Sequence, residues 1–258
     1  MLLKLIVLFF TPFLSGLLIY LVPQGRKKNF RLLLVFAGSY LFAITVSHIL
    51  PELYRQYGDV KWVGIFVLAG FFLQQVLEYF TSGVEHGHIH ADENHDHQHD
   101  HAHHHHANHN HKLSAFVLLL ALCIHAFLEG AMLTQPEVGE VYNANAVLLG
   151  IVLHRTPAAF ALMTVLSDQL GSIRRALPYL IWFSSAAPLG LLLSHYLSSH
   201  ALITSDGLIF LYALVCGNFL YISTTIVFES SPEHRFNAMK LIVALLGALL
   251  AVGMETLF

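Results

Sequence analysis

Stretches of roughly twenty apolar residues recur along almost the whole chain, and this repetition limits its fold more than any other feature. A helix needs about 20 such residues to cross the hydrocarbon core of a bilayer. Helices suit that task because, without water, the backbone must satisfy its own hydrogen bonds. On this measure eight candidate spans fall at roughly 3–22, 31–53, 61–82, 113–134, 144–167, 175–198, 204–228 and 238–257. Segments rich in turn formers separate several of them: Pro23-Gln24-Gly25, Tyr57-Gly58-Asp59, Pro136-Glu137-Val138-Gly139, Ser205-Asp206-Gly207 and Ser231-Pro232-Glu233. Only 11% of the 258 residues are charged, against about 25% in a soluble domain. The expected fold is therefore all-α, a polytopic membrane protein of eight helices. The first apolar run, Met1 to Val22, reads as a retained span, because no small-x-small cleavage pattern precedes Arg26-Lys27-Lys28.

The placement of Lys and Arg orients such a chain. Alternate connections hold Arg26, Lys27, Lys28 and Arg31, then Lys112, then Arg174 and Arg175, then Arg235 and Lys240. The opposite side holds Lys4, Arg55 and Lys61, while Arg155 lies within a span. The asymmetry puts both termini outside and the segment between the third and fourth spans in the cytoplasm. Three regions follow: spans one to three over 1–84, a cytoplasmic histidine-rich loop over 85–112, and spans four to eight over 113–258. A net charge of −3 with neutral histidines points to no nucleic-acid partner. Cys123 and Cys216 both lie in apolar runs, so they read as packing residues with no disulfide framework or Cys-based zinc site.

Against this apolar background the polar residues stand out. The fourth span carries His125 and Glu129, four residues apart and so on one helical face, followed by Gly130. The fifth carries His154-Arg155-Thr156-Pro157. If these two spans run antiparallel, His154 lies at a depth similar to the first pair. A proline there removes a backbone hydrogen bond, bends the helix and frees a carbonyl near His154. One intramembrane histidine often serves packing, and a protonated Glu can bridge helices. Three such residues at this spacing are harder to explain that way, because ionisable groups within spans are costly. Imidazole and carboxylate suit a borderline divalent cation such as Zn²⁺. Three protein ligands leave a position open for exchange, whereas a closed four-ligand site would hold the ion firmly.

The loop adds a second metal-binding signal. Thirteen of the 19 histidines lie there: His86, His88, His90, His95, His97, His99, His101, His103, His104, His105, His106, His109 and His111. They alternate with Asp92, Glu93, Asp96 and Asp100, and almost no apolar residue is available for a core. Disorder is expected, with many weak sites that would buffer or sense metal, against a passive spacer as the plainer reading. Transport itself should not require the loop.

Several segments carry a family resemblance. Ser47-His48-Ile49-Leu50-Pro51-Glu52 is similar to the His-Leu-Leu-Pro-Glu end of the second span in ZIP metal transporters. Gly70 to Glu78 resembles their third span, Ala187-Pro188-Leu189-Gly190 their sixth, and Gly217-Asn218-Phe219-Leu220-Tyr221-Ile222-Ser223-Thr224 their seventh. The resemblance covers nearly the whole chain. It implies a ZIP-like bundle, metal ligands on the fourth and fifth spans, uptake into the cytoplasm and an elevator-like motion of one helix group. It also makes His48 and Glu52 part of an access route, with a helix-end cap as the alternative. The chain departs from binuclear members at Ala126, where they carry Asn, and at Arg155 and Ala158, where they carry acids. Ala187 replaces the sixth-span Glu. The second metal position is thereby dismantled, and Arg155 is expected to substitute for the second cation. A subset of the family similarly carries Lys at that position.

The expected function is transport of divalent metal, most of all Zn²⁺, through a mononuclear site of His125, Glu129 and His154. No resident cofactor is implied. The residues do not choose among Zn²⁺, Fe²⁺, Mn²⁺, Co²⁺ and Cd²⁺, and they leave homodimerisation open. The partners are the metal ion and the lipid bilayer, in a bacterial inner membrane. A metal efflux carrier or sensor would share the loop but not the span motifs. An intramembrane metalloenzyme would want a general base beside the metal, and His-Glu-x-x-His is absent. Among other polar residues, Gln74, Gln75 and Glu78 read as packing or helix-end groups. Ser194, His195 and His200 read as interfacial, and Asn218, Ser223, Thr224 and Thr225 as hydrogen-bonders between helices.

Overall fold

The computed structural model describes residues 1–20, 27–57, 60–81, 115–135, 142–229 and 238–257. Among these residues every regular element is helical. Helix α1 covers Leu2–Leu17, α2 Lys27–Ile44, α3 Leu50–Gln56, α4 Val60–Thr81 and α5 Ala115–Met132. Then come α6 Ala144–Gln169, α7 Ile173–Ser199, α8 Ser205–Glu229 and α9 Ala238–Leu257. Seven helical stretches are long and apolar enough to cross a membrane: Leu2–Tyr20, Leu32–Gln56, Val60–Phe80, Ala115–Met132, Ala144–Gln169, Ile173–Ser199 and Ser205–Val227. The last helix carries a shorter apolar stretch, Ala238–Met254. The histidine-rich loop and its thirteen histidines lie outside the described residues.

The second candidate span is not a uniform α-helix. A π turn, Thr45–Ile49, separates α2 from α3. Pro51 sits one residue into α3. It has no N–H to donate, and its ring would crowd the carbonyl four residues back. The wider π turn just before the proline is where a helix absorbs such a conflict.

Two groups of helices account for most of the packing. One contains α1, α5, α6 and α7; the other contains α2, α4, α8 and α9. Within each group one helix pair makes a close backbone approach through small residues. In the first, Gly130 of α5 meets the Ala187 carbonyl of α7, and Gly190 of α7 meets the Phe127 carbonyl of α5. In the second, Gly70 of α4 meets the Leu214 carbonyl of α8, and Gly217 of α8 meets the Val67 carbonyl of α4. The groups touch mainly where α2 packs on α6 and where α4, and to a lesser extent α8, approach α5.

Polarity is distributed as a bilayer requires. Large apolar side chains such as Phe72, Trp182, Leu192 and Leu249 are exposed, while His125, Glu129, His154 and Arg155 are buried. In water an apolar exterior of this extent would drive association. In lipid it costs nothing, and the ionisable groups must then face inward to one another.

Candidate metal site

Helix α6 is fixed at two points along its length. At its start, Asn143 caps the helix, its side-chain oxygen accepting from the backbone N–H groups of Asn145 and Ala146, each at 3.1 Å. The Asn143 N–H in turn donates to His48 Nε2 of the π turn at 3.0 Å, and the Tyr40 hydroxyl of α2 donates to the Ala146 carbonyl at 2.9 Å. Further along, the Ser15 hydroxyl of α1 donates to the Thr156 carbonyl at 2.5 Å. Pro157 lies inside a helix that continues to Gln169. Its missing N–H leaves the carbonyl four residues earlier, on Leu153, without its usual helical donor.

Helix α5 presents His125 and Glu129 from one face. His125 Nε2 lies 3.1 Å from Glu129 Oε1. The His154 ring stands edge-on to that of His125, with centroids 5.9 Å apart. One ligand atom from each of the three residues falls within 4.8 Å of the others. Ligand atoms around a tetrahedral zinc lie about 3.3 Å apart, so small side-chain rotations close the set on an ion. His125, Glu129 and His154 are all buried. Helices α5 and α6 thus bring these three side chains together.

Arg155 occupies the other side of the carboxylate. Its Nε lies 3.7 Å from Glu129 Oε2. Its Nη2 donates to the Phe183 carbonyl of α7 at 3.0 Å, and its guanidinium carbon sits 4.8 Å from the Phe183 ring centroid. Ala126, Ala158 and Ala187 are buried as well and offer only methyl groups. Phe183 was not legible as a functional residue in the sequence. It contributes through a carbonyl and a ring face, and neither leaves a motif.

The remaining polar residues sort differently. Glu52 accepts from Gln56 at 2.9 Å and pairs with Arg55 at 2.6 Å, both on its own helix. His200 Nδ1 lies 2.9 Å from the Tyr196 carbonyl at the end of α7. Ser223, Thr224 and Thr225 do not bridge helices as expected. Their hydroxyls donate back to the carbonyls of Phe219, Leu220 and Tyr221, at 2.5, 2.7 and 2.9 Å. A hydroxyl one carbon from the backbone reaches the carbonyl one turn earlier without crossing to another helix. Gln74 of α4 and Asn218 of α8 are both buried.

The family described as ZIP Zinc transporter matches residues 1–255, essentially the whole chain. The chain belongs to the ZIP zinc transporter family. Comparison with curated proteins returns no match. As a ZIP protein it is an integral membrane protein of a divalent-metal transporter family. The buried His125, Glu129 and His154 are its candidate metal ligands.

Proposed function

We propose that this ZIP protein moves Zn²⁺ from the outside or periplasm into the cytoplasm, one ion per cycle, through a mononuclear site of His125, Glu129 and His154. The observation that carries this reading is the convergence of three buried donor side chains, from two helices, on one small volume. A hydrated ion would lose water as it meets His125, Glu129 and His154. The fourth coordination position would remain for water, which keeps release possible. Fe²⁺, Mn²⁺, Co²⁺ and Cd²⁺ are competing cargoes for the same donor set.

The helix grouping supports alternating access. All three ligands stand on α5 and α6, within the group that also holds α1 and α7. Sliding that group against α2, α4, α8 and α9 would carry the site across the membrane as a unit, with α9 as the eighth span, both termini outside and the histidine loop in the cytoplasm. The loop would then collect or sense the released metal. His48 stands beside the start of α6, and it and Glu52 would border the access route from the outer face. A bacterial inner membrane is part of the same reading, which holds for a monomer or a homodimer.

Radioactive zinc uptake into proteoliposomes tests it, comparing wild type, His154→Ala combined with Glu129→Ala, and a deletion of 86–111. Uptake should vanish in the double variant and stay near wild type in the deletion. Persistent uptake in the double variant would make those residues structural. Zinc movement only outward from the cytoplasmic face would favour the efflux reading.

A further inference from the structure

We propose that Arg155 is a resident counter-cation that makes the metal-free site electrically neutral, so that the empty carrier returns across the membrane without moving charge. This rests on the transport reading above and assigns the charge bookkeeping of its cycle. The two oxygens of Glu129 are divided. Oε1 faces His125 Nε2 at 3.1 Å, and Oε2 faces Arg155 Nε at 3.7 Å. Arg155 is 2% exposed, and its other contacts are uncharged, the Phe183 carbonyl at 3.0 Å and the Phe183 ring. Its charge is therefore balanced by Glu129 alone among the described residues.

Among the described residues, the titratable groups acting on this pair are His125 and Cys123 of α5 and His154 of α6, and α7 adds the Phe183 carbonyl and ring. With neutral imidazoles, carboxylate and guanidinium sum to zero. A guanidinium does not deprotonate in proteins, so this balance is fixed. A bound divalent ion then gives a net charge of +2. Without the arginine the empty site would be −1 and the loaded one +1, and a net charge in hydrocarbon is costly to carry.

The pair is also built to travel intact. Glu129, Arg155 and Phe183 stand on α5, α6 and α7, which pack within one group. The ion pair therefore does not have to break when the two groups slide. A neutral empty leg and a doubly charged loaded leg make uptake respond steeply to an inside-negative potential, since only the loaded leg feels the field.

The test separates net zinc uptake from zinc–zinc exchange in proteoliposomes, because exchange never uses the empty leg. Arg155→Met should depress net uptake by about tenfold or more relative to exchange. Arg155→Lys keeps the charge and should hold the ratio of the two within about threefold of wild type. In wild type a set membrane potential should change the rate of the loaded leg and leave the return of the empty carrier unaffected, because only the loaded site carries net charge. Equal loss of both modes in Arg155→Met, or a ratio in Arg155→Lys as poor as in Met, would reduce the arginine to a structural role. If Arg155→Met does not fold, the Lys ratio and the wild-type empty leg decide: a return rate independent of the potential supports the proposal, and one that varies with it contradicts it. Wild-type protein that neither exchanges nor accumulates zinc would instead sink the transport reading itself.

Discussion

Gly130 lies so close to the Ala187 carbonyl that a Cβ at position 130 would overlap the oxygen and its carbon. The contact is backbone against backbone, one residue from Glu129, and Gly190 answers it by meeting the Phe127 carbonyl from the other side. The crossing of α5 and α7 therefore sets where Glu129 stands relative to Phe183, and hence relative to Arg155. Gly130→Ala should force the helices apart and destabilise the fold by about 2–3 kcal/mol or more. Thermal unfolding in detergent, with zinc binding on whatever folds, checks this. Wild-type stability would mean the crossing yields more easily than its geometry implies.

Glu129→Gln removes the charge that balances buried Arg155. Breaking a buried pair by losing one partner costs roughly 3–5 kcal/mol. The single variant should therefore be less stable than wild type, and the combination of Glu129→Gln with Arg155→Met should recover part of the loss. Neither should bind zinc at the intramembrane site. A combination less stable than the single variant would show that Arg155 contributes mainly through Phe183.

Much of this architecture was legible in the sequence because membranes constrain it strongly. The apolar runs set the span positions, and the four-residue spacing of His125 and Glu129 placed them on one face without any tertiary information. The meeting of His154 with that pair needed two helices to be docked, and the expectation came from taking neighbouring spans as antiparallel. The π turn at Thr45–Ile49 was missed, although Pro51 after a run of helical residues was its signal. The hydrogen bond from Asn143 to His48 spans 95 residues of sequence, and no local pattern announces it. Ser223, Thr224 and Thr225 were misjudged because composition does not distinguish a hydroxyl that bridges helices from one that bonds back along its own.

Two tyrosines finish the end of α5 that follows Glu129. The Tyr142 hydroxyl donates to the Met132 carbonyl, and the Tyr212 hydroxyl of α8 donates to the Thr134 carbonyl at 2.5 Å. Their rings meet edge-on, with centroids 5.4 Å apart. These bonds satisfy carbonyls that lie past the last full helical turn. Tyr142→Phe and Tyr212→Phe should each cost about 1–3 kcal/mol by stranding a buried carbonyl. Unfolding midpoints of both singles and the double should show less than additive losses, because the pair shares one cluster.

Zinc binding should weaken as pH falls. An imidazole must be neutral to ligate, so protons compete with the metal. On acidification affinity should drop by up to about tenfold per pH unit for each histidine that ligates. Competition titrations on protein lacking 86–111 isolate this effect from the loop histidines. A flat profile between pH 7 and pH 5, or binding that strengthens on acidification, would speak against a two-histidine site.

Zinc bound per chain at equilibrium, in protein lacking residues 86–111, tests the central claim most directly. The account predicts one zinc per chain, and none when His154→Ala and Glu129→Ala are combined in folded protein. Two zinc ions per chain would contradict the mononuclear site, and one zinc retained by the double variant would place the metal elsewhere.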